Sequence, residues 1–160
     1  MESKNKIKKG FINIVLVEPE IPPNTGNIGR LCVGLDIPLF LIGELGFSLD
    51  DKYLKRAGLD YWKHLTYYHF DNLDFLFKTF KKSNFYFFSK KAEKIYYDAE
   101  FKWGDFIVFG KETRGLPENL LKKNKDNSLK IPMVGKTRSY NLSNSVAVTA
   151  LEAYRQILFK

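Results

Sequence analysis

The chain has 160 residues, 44% of them hydrophobic, which suits one domain with a real core. It contains no run of eighteen apolar residues, so no membrane-spanning helix is expected; a lone cysteine, Cys32, rules out an internal disulfide framework and a multi-cysteine metal site. The net charge of +8 points to a polyanionic partner, although 21 Lys against 5 Arg is also what drift in an A+T-rich genome produces.

In chain order, MESKNKIKKG (1–10) reads as a flexible basic leader without the apolar stretch of a signal peptide, and 11–160 as a single domain. A cytoplasmic location is expected. INIVLV (12–17) is a β-branched run typical of a strand buried on both faces. From Thr25 to about Leu35 the period changes, and Ile28, Leu31, Cys32 and Leu35 form a helical stripe. Pro38 blocks its continuation, and 38–43 reads as a second strand. Residues 50–57 suit a short helix stopped by Gly58, and 64–69 a strand. Asp71 is a candidate cap for a helix carrying Leu73, Leu76, Phe77 and Phe80. Strands are expected at 84–89, 105–110 and 129–134, with a short helix after Pro117 and no assignment for the segment 90–104. The longest helix falls at about 144–158, with Ala147, Ala150, Leu151, Tyr154 and Leu158 on one stripe. Strands alternating with helices define an α/β fold, mainly a parallel sheet flanked by helices.

Three loop segments follow predicted strands: EPEIPPNTGNIGR (18–30), FGKETRGLP (109–117) and IPMVGKTRSYNLSNSVAV (131–148). Ligands of such sheets bind beyond the strands' carboxyl ends, so the three are expected to converge on one site. Arg30, Arg114 and Arg138 are three of the five arginines and all lie in these loops. In a lysine-rich chain, that placement hints at a need for the planar fork. In the first segment Asn24 or Thr25 can cap a helix, whose free N–H groups favour an anion. The spacing is neither a dinucleotide fingerprint nor a Walker loop, and alone it fits a plain helix cap with a surface arginine. In the second, Gly110 and Gly115 permit close backbone approach, while Glu112 and Arg114 could form a surface pair worth little. In the third, Ser139, Asn141, Ser143 and Asn144 crowd one helix start, where a single cap would suffice. His64 and His69 read as packing or surface residues, Cys32 as a small core residue, and no G-x-S-x-G elbow is present.

These three motifs, together with GFSLDDKYLKRAGLDYW (46–62), resemble the SPOUT class of RNA methyltransferases. More narrowly, the chain is similar to the short bacterial tRNA 2′-O-methyltransferases of the wobble nucleotide, cytidine or uridine 34. The resemblance implies a deep C-terminal trefoil knot, a homodimer built on the first and last helices, and the tRNA anticodon stem-loop as partner. It implies S-adenosylmethionine as cofactor, held by Phe88, Gly110, Ile131, Met133, Ser139 and Leu142, with no metal and no membrane. By the same likeness, Arg30 stabilises the developing 2′-alkoxide, and Glu112 and Asn24 orient that corner. Arg114 and Arg138 hold phosphates, and Asn141 and Ser143 face the tRNA. Methylation of another tRNA or rRNA position, or a non-catalytic RNA-binding protein of the same fold, are the alternatives. Lys111 and Tyr140 depart from residues common in close relatives, as Pro and as an aliphatic side chain. Gly29 sits within a helix at a cost of about 1 kcal/mol relative to Ala.

Overall fold

Hydrophobic runs in this chain are short and separated by Gly and Pro, and they assemble side by side into one sheet. The computed structural model describes residues 6–159. Its strands are β1 (Ile12–Val17), β2 (Leu39–Ile42), β3 (Tyr67–Phe70), β4 (Phe85–Phe88), β5 (Lys94–Ile95), β6 (Asp105–Phe109) and β7 (Ser128–Lys130). Among the described residues these form a seven-stranded sheet in the order β3-β2-β1-β6-β4-β7-β5, and each pairing is parallel. The helices are α1 (Pro22–Gly34), α2 (Lys52–Gly58), α3 (Asp74–Thr79), α4 (Glu118–Lys123) and α5 (Leu142–Leu158).

Alternation along β1 divides the core in two. Ile12, Ile14 and Leu16 join Ile28 and Cys32 of α1 and Val146, Ala150 and Ala153 of α5 on one face. Val15 and Val17 join Phe40, Phe87, Phe106, Val108 and Leu76 of α3 on the other. Burial pushes the Cys32 thiol pKa far up, as expected of a core residue rather than a nucleophile. Asn13 is buried in β1 but satisfied: its amide donates to the carbonyls of Gly104 and Asp105, and its side-chain oxygen accepts from Gly10 N.

Several expectations shift. Helix α1 begins at Pro22, three residues before Thr25, and its cap position is Ile21, so neither Asn24 nor Thr25 is the cap. The strand expected at 64–69 runs over Tyr67–Phe70, because Leu59–His64 winds into a 3-10 turn. Asp71 does not cap α3; the side chain of Asn72 accepts from Asp74 N instead. Segment 90–104 contains β5 and a 3-10 turn at Tyr96–Asp98. Strand β7 ends at Lys130, short of the expected 134, since Pro132 has no N–H to continue a ladder. The buried stripe of α5 is Leu142, Val146, Thr149, Ala150, Ala153 and Gln156. Leu151 and Leu158, expected on that stripe, are 49% and 42% exposed.

Of the leader, residues 1–5 lie outside the described residues. The rest is tied down: Ile7 packs on the second core face, Lys8 N donates to the Tyr68 hydroxyl at 2.9 Å, and Lys8 pairs with Asp36 at 3.0 Å.

Candidate active site

The carboxyl ends of β4, β6 and β7 open into a cavity of about 450 Å³. Its walls are residues 88–91 at the end of β4, 109–116 at the end of β6, Ile131 and Met133 after β7, residues 139–142 and Ser145 at the start of α5, and Ile21 and Asn24 at the start of α1. All three loop segments therefore meet at one sheet edge.

A short turn shapes the wall after β6. Gly115 N donates to the Lys111 carbonyl at 2.8 Å, and Gly115 adopts φ +67, so the chain doubles back onto Gly110. A Cβ at Gly110 would lie 2.1 Å from the Gly115 carbonyl carbon, which no side chain tolerates. Lys111 pairs with Glu18 at 3.4 Å.

A chain of polar contacts ties the motifs together. Glu112 does not pair with Arg114. Its carboxylate accepts from the backbone N–H of Glu20 (2.8 Å) and Ile21 (3.0 Å) and from the Asn24 amide (3.3 Å). Glu112 thus caps α1 from another part of the chain, placing negative charge at the positive end of the helix. The Asn24 oxygen accepts from the Asn141 amide at 3.0 Å. The Asn141 oxygen in turn accepts from Ser143 N, the Ser143 hydroxyl and Asn144 N, capping α5. Glu20 completes the cluster: its carboxylate accepts from Thr113 N and the Thr113 hydroxyl, which hold its pKa below the usual carboxylate range.

The expected site residues divide clearly. Phe88, Gly110, Ile131, Met133, Ser139 and Leu142 line the cavity, as do Asn24, Glu112, Arg114 and Asn141. Arg30, Arg138 and Ser143 do not. Arg30 lies six residues beyond Asn24, about 9 Å along the helix axis and on a different side. There its guanidinium sits 5.2 Å from the centre of the Tyr61 ring. Arg138 is exposed in the loop before α5. Ser143 is turned to its cap, and the polar atoms of Asn141 are committed to Asn24 and α5. Sequence reasoning did not single out Glu20, Thr113, Lys90 or Lys91. The Glu20–Thr113 contact spans 93 positions, and no local pattern announces it.

The lining suits a small organic ligand. Phe88, Ile131, Met133 and Leu142 offer apolar surface, backbone polar groups end each strand, and the volume is in the range of small-molecule sites. Among the described residues no cluster of His, Cys, Asp and Glu could hold a metal ion.

Residues 12–151 match the SpoU rRNA methylase family model. The chain belongs to that family. A protein of Listeria monocytogenes serotype 4b (strain F2365) is 51% identical over 147 residues, covering 90% of this chain and 87% of its own; it is named provisionally as a tRNA (cytidine(34)-2′-O)-methyltransferase. The tRNA (cytidine(34)-2′-O)-methyltransferase of Saccharophagus degradans (strain 2-40 / ATCC 43961 / DSM 17024) is 47% identical over 150 residues, covering 93% of this chain and 97% of its own. A solved structure described as giving structural insights into the 2-OH methylation of C/U34 on tRNA superposes with a TM-score of 0.86 at 44% identity, over 92% of this chain and 96% of that one.

Proposed function

We propose that this protein transfers a methyl group from S-adenosylmethionine to the ribose 2′-OH of the pyrimidine at position 34 of tRNA. The observation that carries this reading is the convergence of three distant loop segments on one cavity, bound together by the Glu112–Asn24–Asn141 chain. Relatives that share nearly the whole chain and carry that activity in their names support it.

The bound donor supplies a methyl group already activated by its sulfonium. The protein's task is then to place the acceptor and stabilise a developing alkoxide. Phe88, Gly110, Ile131, Met133, Ser139 and Leu142 hold the donor. Asn24 and Glu112 keep the start of α1 against the cavity. As the methyl–sulfur bond breaks and the methyl–oxygen bond forms, Arg30 donates hydrogen bonds to the alkoxide or an adjacent phosphate, and the 2′-OH proton leaves to that phosphate or to water, since a guanidinium is no base. Arg114 and Arg138 hold phosphates of the anticodon stem-loop.

The working unit is a homodimer. Arg30 is exposed and lies outside the cavity of its own protomer, while α5 presents Val148, Leu151 and Leu158 to solvent. A second copy covering these faces brings RNA-side and donor-side groups together. Residues 11–160 act as one methyltransferase domain in the cytoplasm, where tRNA is modified. The segment after β6 threads into a trefoil knot, a rare exception to unthreaded connections, and the insertion of β7 between β4 and β5 agrees with it.

Incubation with unmodified tRNA and labelled S-adenosylmethionine, followed by mass-spectrometric mapping, should place one methyl on the ribose of nucleotide 34. A methyl elsewhere overturns the substrate assignment, and none overturns the activity. Arg30→Ala should keep donor binding and lose transfer at least a hundredfold, about the loss from removing one oxyanion donor.

A further inference from the structure

We infer that Glu20 is a positioning residue for the methyl donor, acting through Thr113 on the loop that walls the cavity. The inference rests on the functional reading above and adds to it a residue pair to which that reading gives no role.

The geometry is reciprocal. Glu20 reaches across to the second loop, where its carboxylate accepts from Thr113 N at 3.0 Å and from the Thr113 hydroxyl at 2.8 Å. The neighbouring residue of that loop reaches back, and Glu112 accepts from Glu20 N at 2.8 Å and Ile21 N at 3.0 Å. Consecutive residues 20–21 and 112–113 therefore grip one another through two carboxylates. Each carboxylate is spent on a backbone N–H that would otherwise need water.

Only one half of this grip supports α1, because Glu112 provides the cap. The Glu20 half takes its donors from the loop, Thr113 N and the Thr113 hydroxyl, and from no group of α1. That loop is a tight turn closed from Lys111 to Gly115, and residues 110–116 line the cavity throughout. Thr113 stands at its tip and is exposed, so little apolar packing holds the tip in place. Two charge-assisted bonds to Glu20 set its position, and with it the width of the cavity between residues 110–116 and residues 139–142. Neither Glu20 nor Thr113 belongs to the hydrophobic core, so removing the pair alters the wall without opening the core.

Calorimetric titration of S-adenosylmethionine into purified protein tests this, with melting curves alongside. Glu20→Ala should weaken donor binding about tenfold, in line with loss of two charge-assisted hydrogen bonds, and Thr113→Val should weaken it less, because valine keeps the backbone N–H that Glu20 accepts from. Thr113→Ser should restore wild-type affinity. The Glu20→Ala/Thr113→Val double variant should bind no more weakly than Glu20→Ala alone, because without the carboxylate the Thr113 hydroxyl has already lost its partner. Donor KM should rise in step, while kcat at saturating donor changes less than about twofold and the Tm by no more than about 4 °C. Wild-type affinity in Glu20→Ala, or additive losses in the double variant, overturns the inference alone. A wild-type protein that binds no S-adenosylmethionine overturns the functional reading and this inference together.

Discussion

Gly110 and Glu112 show how differently two residues of one motif were legible. A glycine directly after a buried strand signals close backbone approach, and the structure puts the returning turn where a Cβ would stand. Gly110→Ala should therefore abolish measurable donor binding in a titration and lower the melting temperature, since backbone, not a side chain, must move. Glu112 was less legible: its nearest cation in sequence, Arg114, looked like its partner, yet two backbone N–H groups some ninety residues away take it. Acid titration follows from a different carboxylate. Hydrogen bonds from Arg155, opposed by burial and joined by Gln156, hold the Glu152 carboxyl below its ordinary value of 4.5. A group depressed on folding adds stability that is complete above its unfolded value and is lost as pH falls through its folded one. Urea unfolding should show the Glu152 contribution complete at neutral pH and declining as pH falls below its ordinary value of 4.5. Glu152→Gln should make that decline shallower.

At the level of elements, α1 is positioned by its neighbours more than by its own sequence. A Cβ on Gly29 would lie 2.8 Å from the Trp62 ring, so the helix accepts a poor helix former to let the 3-10 turn approach. Gly29→Ala should destabilise the protein by about 1–3 kcal/mol, the cost of overpacking, despite the better helix propensity of alanine. A gain in chemical-denaturation stability would contradict this packing account. The start of α1 escaped the local pattern because its cap comes from Glu112 on another element. The start of α5 also lies before the expected residue, yet its cap, Asn141, was singled out by the crowding of polar residues. Asn141→Ser keeps a capping oxygen but loses the amide that meets Asn24. Stability should fall by about 1–3 kcal/mol, since the buried Asn24 oxygen loses its donor although the cap is kept, and methyl transfer should fall as well. Loss of stability with intact transfer would make Asn141 a structural residue only.

For the whole molecule, charge and exposed apolar surface make separate demands. The net charge of +8 fits an RNA partner and keeps copies apart, whereas the outer face of α5 exposes Val148, Leu151 and Leu158 on three turns of one helix. Leu151→Glu places a charge in the middle of that face. Sedimentation should show a dimer for the wild type and a monomer for this variant, with methyl transfer lost and the far-ultraviolet circular dichroism unchanged. A wild-type monomer with full activity would remove the dimer from the account.

The strands, the helical stripe of α1 and the three ligand-facing loops were readable because each depends on residues within a few positions: β-branched runs, 3.6-residue spacing, Gly and Pro at bends. The mainly parallel sheet followed from their alternation, and the family from motifs that sit in those loops. What local pattern could not supply was every feature owed to distant partners. Strand order, the short β7, the inward face of α5, the cap on α1 and the Glu20–Thr113 grip all depend on groups brought together from far along the chain. Packing selects among them, because burial and hydrogen bonding reward proximity in space, and sequence separation enters only as the entropy of closing the intervening loop.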